Sequence, residues 1–197
     1  LVPATVGKVV PDASPEEEWK WVVDATRECF THARKVGVRI AVEPLNRFET
    51  YLFNRGEQAM ALADAVSPEC GICLDAYHIH MEEFDVEEAI RKAGKRLFDF
   101  HVADNNRFAA GLGTIDWKRL VGILRDVGYD GALTNEFVAP VDRTPANRYP
   151  EMVERNPVDI SPEQLKFIQD HGSSVLTEKF YTDQMRITAE TLLPLIK

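Results

Sequence analysis

Four short apolar runs alternate with helix-like segments along this chain, one run about every 30 residues. Strands that alternate with helices of 10 residues or more are typical of βαβ units, in which the strands are parallel. The runs are apolar nearly throughout, as expected for strands that are covered on both faces. The pattern predicts an α/β fold with a parallel sheet, whose strands occupy residues 38–43, 71–75, 97–103 and 132–136.

Capping signals define the helices between these strands. Ser14-Pro15-Glu16-Glu17 is a capping box with proline at the first helical position, and it begins a helix that ends near Gly37. Asp85 and Asp116 can cap two further helices. After the first helix, with these two included, helices are expected at residues 57–65, 86–93, 116–127, 163–170 and, closing the chain, within 176–196.

The composition excludes several classes of protein. The net charge is −9 and no basic stripe is present, which argues against binding to nucleic acid or to an anionic membrane. No run of about 18 apolar residues is present to cross a membrane, and the N-terminal residues do not resemble a signal peptide. Three cysteines are too few for a disulfide framework, so a reducing cytoplasm is the predicted location. Cys70 and Cys73 form a lone C-x-x-C and are interpreted as small buried residues.

Each apolar run ends on a residue that commonly binds metals. The carboxyl ends of parallel strands meet at one edge of a sheet, where ligand sites of such folds lie. Three carboxylates and one imidazole suit a divalent cation such as Mn²⁺, Co²⁺ or Mg²⁺. The sequence therefore predicts a metal site built from Glu43, Asp75, His101 and Glu136.

At these residues the chain resembles the xylose isomerase-like TIM-barrel superfamily, and within it the D-tagatose/D-psicose (ketose) 3-epimerases. The resemblance covers roughly residues 1–140 and the final helix. It rests on Glu43-Pro44-Leu45-Asn46-Arg47-Phe48-Glu49, Leu74-Asp75-Ala76-Tyr77-His78, His101-Val102-Ala103-Asp104-Asn105-Asn106-Arg107, Asn135-Glu136-Phe137 and the segment from Gly111 to Trp117.

The resemblance implies a metal-dependent sugar isomerase or epimerase. In such an enzyme the residues matching the four strand-end positions hold one divalent ion, most often Mn²⁺. Those matching Glu43 and Glu136 also act as the acid–base pair for ketose 3-epimerisation through a metal-bound cis-enediolate. Glu49, His78 and Arg107 match residues that contact the sugar, which is the expected small-molecule partner.

The resemblance also implies a (β/α)₈ barrel, which usually needs about 250 residues. We therefore expect a single domain, residues 1–197, that forms a C-terminal partial barrel of four to five βα units, with a strand remnant at residues 1–6. Open sheet edges favour pairing, so a homo-oligomer or pairing with an N-terminal half is expected. A proline-rich irregular excursion is predicted at about 140–162.

Other interpretations remain open from the sequence. A lyase with the same site plan, such as an inosose dehydratase or a C-glycoside deglycosidase subunit, fits the motifs. An inactive half-barrel that acts as a subunit or binding module fits the short chain. Each candidate residue also has a structural interpretation. His78 would be a packed, hydrogen-bonded histidine, Arg107 the partner in a surface ion pair, and a strand-end carboxylate a helix cap.

Overall fold

The structure is a computed structural model that describes residues 8–138, 144–146, 148, 161–170 and 176–196, with the side chains of 167–170 excepted. The predicted strand remnant at residues 1–6 and most of the predicted excursion at 140–162 lie outside the described residues. The predicted organisation as one domain over residues 1–197 is therefore still a prediction.

Four parallel strands form one sheet in the order β1-β2-β3-β4, as the alternation predicted. Adjacent strands in the sheet are consecutive along the chain because a helical segment returns the chain to the same end each time. The strands are β1 (Ala41–Val42), β2 (Gly71–Asp75), β3 (Leu97–Val102) and β4 (Leu133–Asn135).

The first strand is shorter than predicted. The apolar run covers residues 38–43, but β1 comprises Ala41–Val42, with Glu43 in an isolated bridge. Among the described strands β1 pairs with β2 alone, through Ala41 beside Gly71 and Val42 beside Ile72. A strand with one partner has half of its backbone groups unpaired, so regular pairing extends over fewer residues.

Helices cover the strands at the expected places, with one addition. The unexpected helix, α3, begins directly after β2, where the Asp75 carboxylate accepts a hydrogen bond from the Tyr77 backbone N–H at 2.6 Å. No helix in the described part of the chain combines the length and apolarity needed to cross a bilayer. The helices are α1 (Pro15–Lys35), α2 (Gly56–Val66), α3 (Ala76–Glu82), α4 (Val86–Ala93), α5 (Trp117–Asp126), α6 (Pro162–Asp170) and α7 (Glu178–Ile196), with a 3₁₀ turn at Gly94–Arg96.

The core lies between the sheet and these helices. Ile72 and Phe100 on the strands and Leu62 and Ile90 on the helices are fully or almost fully buried. Each such side chain contributes about 1.5–3 kcal/mol when buried. The core holds the strands in register and so fixes where their carboxyl ends lie.

Candidate metal centre and active site

The four predicted metal ligands meet at the carboxyl edge of the sheet. Asp75 and His101 are register partners on β2 and β3, while Glu43 and Glu136 directly follow β1 and β4. One potential ligand atom from each lies within 4.8 Å of the others. The fold thus brings Glu43 and Glu136, which are 93 positions apart in sequence, close together in space.

One nitrogen of His101 faces two of the carboxylates. The Nδ1 atom lies 2.9 Å from Glu136 Oε2 and 3.0 Å from Glu43 Oε1. A single N–H can satisfy one acceptor well, and the hydrogen-bond geometry favours Glu136. Glu43 Oε1 is then buried, with no hydrogen-bond donor reaching it among the described residues. A buried carboxylate oxygen without a donor fits a position that a cation neutralises.

The electrostatics of the cluster also favour a cation. Burial raises the pKa of Glu43, and burial together with the Glu136 carboxylate raises the pKa of Asp75 well above its usual range. Burial opposes protonation of His101, but the neighbouring Cys73, Glu136 and Glu43 side chains outweigh it and raise the pKa of the imidazole. The cluster therefore favours bound positive charge, and a divalent ion with these ligands would compete with protons for the same atoms. The donor set, three carboxylates and one imidazole, fits Mn²⁺, Co²⁺ or Mg²⁺.

The other nitrogen of His101 faces a layer of polar side chains beneath the cluster. Asp99 Oδ2 lies 3.7 Å from Nε2, and the Cys73 sulfur lies within 4.8 Å of a nitrogen of the imidazole. Thr134 donates to the second Asp99 oxygen, Oδ1, at 2.8 Å. These contacts orient the ring so that Nδ1 is directed into the cluster. Sequence analysis missed Asp99, although it lies two residues before His101 on β3 and therefore on the same face.

Arg107 extends into the cluster from the loop after β3. Its Nη1 atom lies 2.8 Å from Asp75 Oδ2 and 3.7 Å from Glu136 Oε2, and the guanidinium stacks 4.5 Å from the Tyr77 ring centroid. The side chain is 13% exposed, so Arg107 is not a surface ion pair. Asp75 has two roles, because one oxygen caps α3 while the other binds Arg107.

His78 and Glu49 lie beside Arg107. His78 is fully buried, and its Nε2 atom lies 3.3 Å from Arg107 Nη2. Burial and the neighbouring Arg107 charge lower the pKa of His78 to about 4, so the imidazole is neutral near pH 7. Glu49 lies in the exposed loop after β1, close enough to favour the charged form of Arg107. Arg107 therefore borders the four-residue cluster, His78 lies beside Arg107, and Glu49 lies within electrostatic reach of Arg107.

Asp104 is a buried carboxylate that sequence analysis did not single out. It organises the loop that carries Arg107. Its two oxygens accept hydrogen bonds from the backbone N–H groups of Asn105, Gly111 and Ile115 and from Trp117 Nε1, at 2.8–3.1 Å. Burial opposes its ionisation, but these donors outweigh it and lower the pKa of Asp104.

A protein-family model matches most of the length of this chain. The family model described as "Xylose isomerase-like TIM barrel" matches residues 2–171. The chain belongs to this family. Its four parallel strands are consistent with part of the barrel that defines xylose isomerase-like proteins, as the sequence motifs predicted.

Several curated relatives of this xylose isomerase-like chain are named as epimerases. It is 38% identical to the D-psicose 3-epimerase of Enterocloster bolteae over 111 residues, which are 56% of this chain and 37% of that protein. It is 30% identical to the L-ribulose 3-epimerase of a Methylomonas species over 137 residues, which are 69% of this chain and 48% of the relative. The chain thus spans less than half the length of these relatives.

Solved structures of such barrels superpose on the chain. A D-psicose 3-epimerase from Clostridium cellulolyticum H10, crystallised with D-tagatose, matches with a TM-score of 0.61 and 31% identity, over 69% of this chain and 47% of the other. An L-ribulose 3-epimerase structure matches over 99% of this chain and 61% of the other, with a TM-score of 0.72 and 23% identity, a likeness of fold.

Proposed function

We propose that this chain carries the metal centre and the acid–base pair of a ketose 3-epimerase. The observation that supports this most directly is the convergence of Glu43, Asp75, His101 and Glu136 within 4.8 Å, with Arg107 and His78 beside them. The names of the relatives, D-psicose and L-ribulose 3-epimerases, support the same reaction class.

The four clustered side chains would hold one divalent cation, with Mn²⁺ proposed as the ion. When bound, such an ion stabilises the negative charge that develops on a ketone oxygen when the neighbouring carbon loses a proton. Its identity, like a cytoplasmic location and a homo-oligomeric or paired assembly, stays a prediction.

The residues of the chain account for the remaining chemistry. Glu43 and Glu136 would act as the acid–base pair: one carboxylate removes the proton from C3 on one face of the ketose, and the other returns a proton to the opposite face. General acid–base help of this kind typically contributes about 10²–10⁴ in rate. Arg107, His78 and Glu49 would bind the oxygens of the sugar and hold the reacting carbon between the two carboxylates.

Solvent deuterium exchange tests the proposal. In the protein expressed from its complete reading frame and supplied with Mn²⁺, we expect deuterium to enter C3 of a ketohexose or ketopentose. Glu136→Gln should abolish the exchange, since an amide cannot accept the proton. Glu190→Gln, which alters an exposed ion pair with Arg186 on α7, is the matched control and should leave the rate unchanged.

The other outcomes of this experiment identify the alternatives. One relative is named as a 3-dehydro-D-guloside 4-epimerase, so exchange at C4 must be monitored as well. An elimination product would identify a lyase of the dehydratase or deglycosidase kind. Stoichiometric metal binding with no exchange in any sugar would identify a binding module, and the proposal would be wrong.

A further inference from the structure

Asn46 lies between two of the residues that we propose contact the sugar. It is 1% exposed and follows β1 in the loop that carries Glu49. Its side-chain Nδ2 donates to Glu49 Oε1 at 2.7 Å and lies 2.9 Å from His78 Nδ1. Its Oδ1 accepts from the Phe48 backbone N–H at 2.9 Å. Both N–H groups and the oxygen of this amide therefore have partners.

The backbone of Asn46 determines which nitrogen of His78 carries the proton. The Asn46 backbone N–H donates to His78 Nδ1 at 3.1 Å. A backbone N–H can only donate, so Nδ1 must present its lone pair. In a neutral imidazole the single proton is then on Nε2. The Asn46 side-chain N–H directed at the same Nδ1 supports this tautomer.

This tautomer determines whether His78 and Arg107 can hydrogen-bond to each other. The His78 Nε2 and Arg107 Nη2 atoms lie 3.3 Å apart. Since both nitrogens carry a hydrogen and act as donors, they do not hydrogen-bond to each other. Two donors at this separation can share one acceptor, such as a carbonyl or hydroxyl oxygen of a ligand. Glu49, also held by Asn46, supplies an acceptor on the same side of the site.

We propose that Asn46 is a positioning residue that fixes His78 as the Nε2–H tautomer and holds the Glu49 carboxylate, so that a polyhydroxy ligand meets two donors and one acceptor. The ligand part rests on the proposed function; the tautomer part stands on the hydrogen bonds alone.

The direct test is nitrogen NMR of the protein labelled with ¹⁵N-histidine, without metal or sugar. We expect the signals of His78, assigned by their loss in His78→Gln, to report a protonated Nε2 and an unprotonated Nδ1. The tautomer is thus read from the unaltered protein, and the variant serves for the assignment alone. A protonated Nδ1 at neutral pH would overturn the proposal.

The substitution Asn46→Asp is the second test. It preserves the shape of the side chain and the oxygen that accepts from the Phe48 backbone N–H, while it replaces the Nδ2 donor with oxygen. A carboxylate oxygen then faces both Glu49 and His78 Nδ1. The new carboxylate favours a proton on His78 Nδ1, whereas the retained backbone N–H at position 46 favours the Nδ1 lone pair. Because a hydrogen bond to a charged acceptor is the stronger of the two, we expect His78 Nδ1 to become protonated, and KM for the ketose to rise about 10- to 100-fold with a smaller change in kcat. The affinity for Mn²⁺, measured by calorimetry, should stay within about twofold because no metal ligand is altered.

Asn54→Asp is the matched control. Asn54 is in the same connection between β1 and α2, but its Nδ2 donates to the backbone carbonyls of Leu45 and Thr50 and not to the site. It should change stability without changing the His78 tautomer or KM. If Asn46→Asp behaves like Asn54→Asp, Asn46 has a structural role alone and the proposal fails. If no sugar reacts, the proposed function fails while the tautomer measurement still decides the role of Asn46.

Discussion

The loops that follow β1 and β3 are stabilised in different ways, although both carry side chains that we propose bind the sugar. The loop after β1 is organised around a neutral amide, Asn46, which bonds to the proposed ligand-binding side chains themselves. The loop after β3 is organised around a carboxylate, Asp104, which bonds to backbone N–H groups and to Trp117. Arg107 is not among its hydrogen-bonded side chains in the described structure.

Because of this difference, we expect substitutions in the two loops to affect different properties, stability in one and ligand recognition in the other. The Asp104 carboxylate accepts hydrogen bonds from three backbone N–H groups and from Trp117 Nε1, and none of these donors changes its protonation in the ordinary pH range. An amide donates and accepts, so Asn46 can determine which atom of His78 carries a proton. We expect changes around Asp104 to appear in the free energy of unfolding, and changes at Asn46 to appear in ligand binding.

The largest expected effect on stability comes from Asp104→Ala. The change leaves four N–H groups around this buried carboxylate without their acceptor, and we expect the free energy of unfolding to fall by about 3–5 kcal/mol. Chemical denaturation followed by circular dichroism measures it. Asp116→Ala is the matched control, because Asp116 caps α5 with one exposed hydrogen bond to Arg119, and it should cost about 1 kcal/mol. Equal costs for the two variants would remove the distinction between the loops.

A second, smaller effect is expected from Gly113→Ala in the same loop. An added Cβ would lie 2.1 Å from Asp104 Oδ1 and 2.2 Å from Asn105 Oδ1, so the carboxylate would have to move from its donors. We expect a loss of about 1–3 kcal/mol in the same unfolding measurement. Gly122→Ala in α5, where the added atom meets nothing within 4 Å, should instead stabilise by about 0.5–1 kcal/mol. A neutral Gly113→Ala would mean that Asp104 does not constrain the loop.

The smallest effect is expected in the loop after β1, from Arg47→Ala. Arg47 binds Glu82 at the end of α3 through Nε and Nη2, at 3.0 and 2.9 Å, but its side chain is 65% exposed. Solvent screens the arginine side of this pair, and the backbone N–H at position 47 still donates to the buried Glu82 carboxylate at 2.8 Å in the variant, so we expect a loss of about 1 kcal/mol. Lys92→Ala, which breaks an exposed pair with Glu88 on α4, is the control with an effect near zero. A loss as large as that of Asp104→Ala would reverse the comparison.

The sequence predicted the elements that depend on local pattern. The strand–helix alternation gave the parallel order of the sheet, and the strand ends gave the four residues that converge. The same local reasoning failed for the helix Ala76–Glu82, because the apolar run of β2 ends where a strand-end residue, Asp75, also acts as a helix cap.

The residues that support the site could not be read from local pattern. Asn46 bonds to His78, 32 positions away, and Asp104 bonds to Trp117 Nε1, 13 positions away. An asparagine or aspartate in a loop is most often a turn residue, and its role becomes visible when the fold brings distant donors to it. Asp99 is different, since its spacing from His101 on one strand was a usable signal.

The backbone at Arg107 has a consequence for protein engineering. Arg107 has φ of +62°, a left-handed conformation that costs a residue with a side chain about 1–2 kcal/mol relative to its usual states. Glycine would relieve that cost, but it would also take the guanidinium from the fully buried Asp75 carboxylate and from the Tyr77 ring, and leaving a buried charge without its partner costs about 3–5 kcal/mol. A library that replaces left-handed residues with glycine to gain heat resistance would therefore lose stability at position 107, together with the proposed sugar-binding group. Selection for thermostable variants should keep this position fixed.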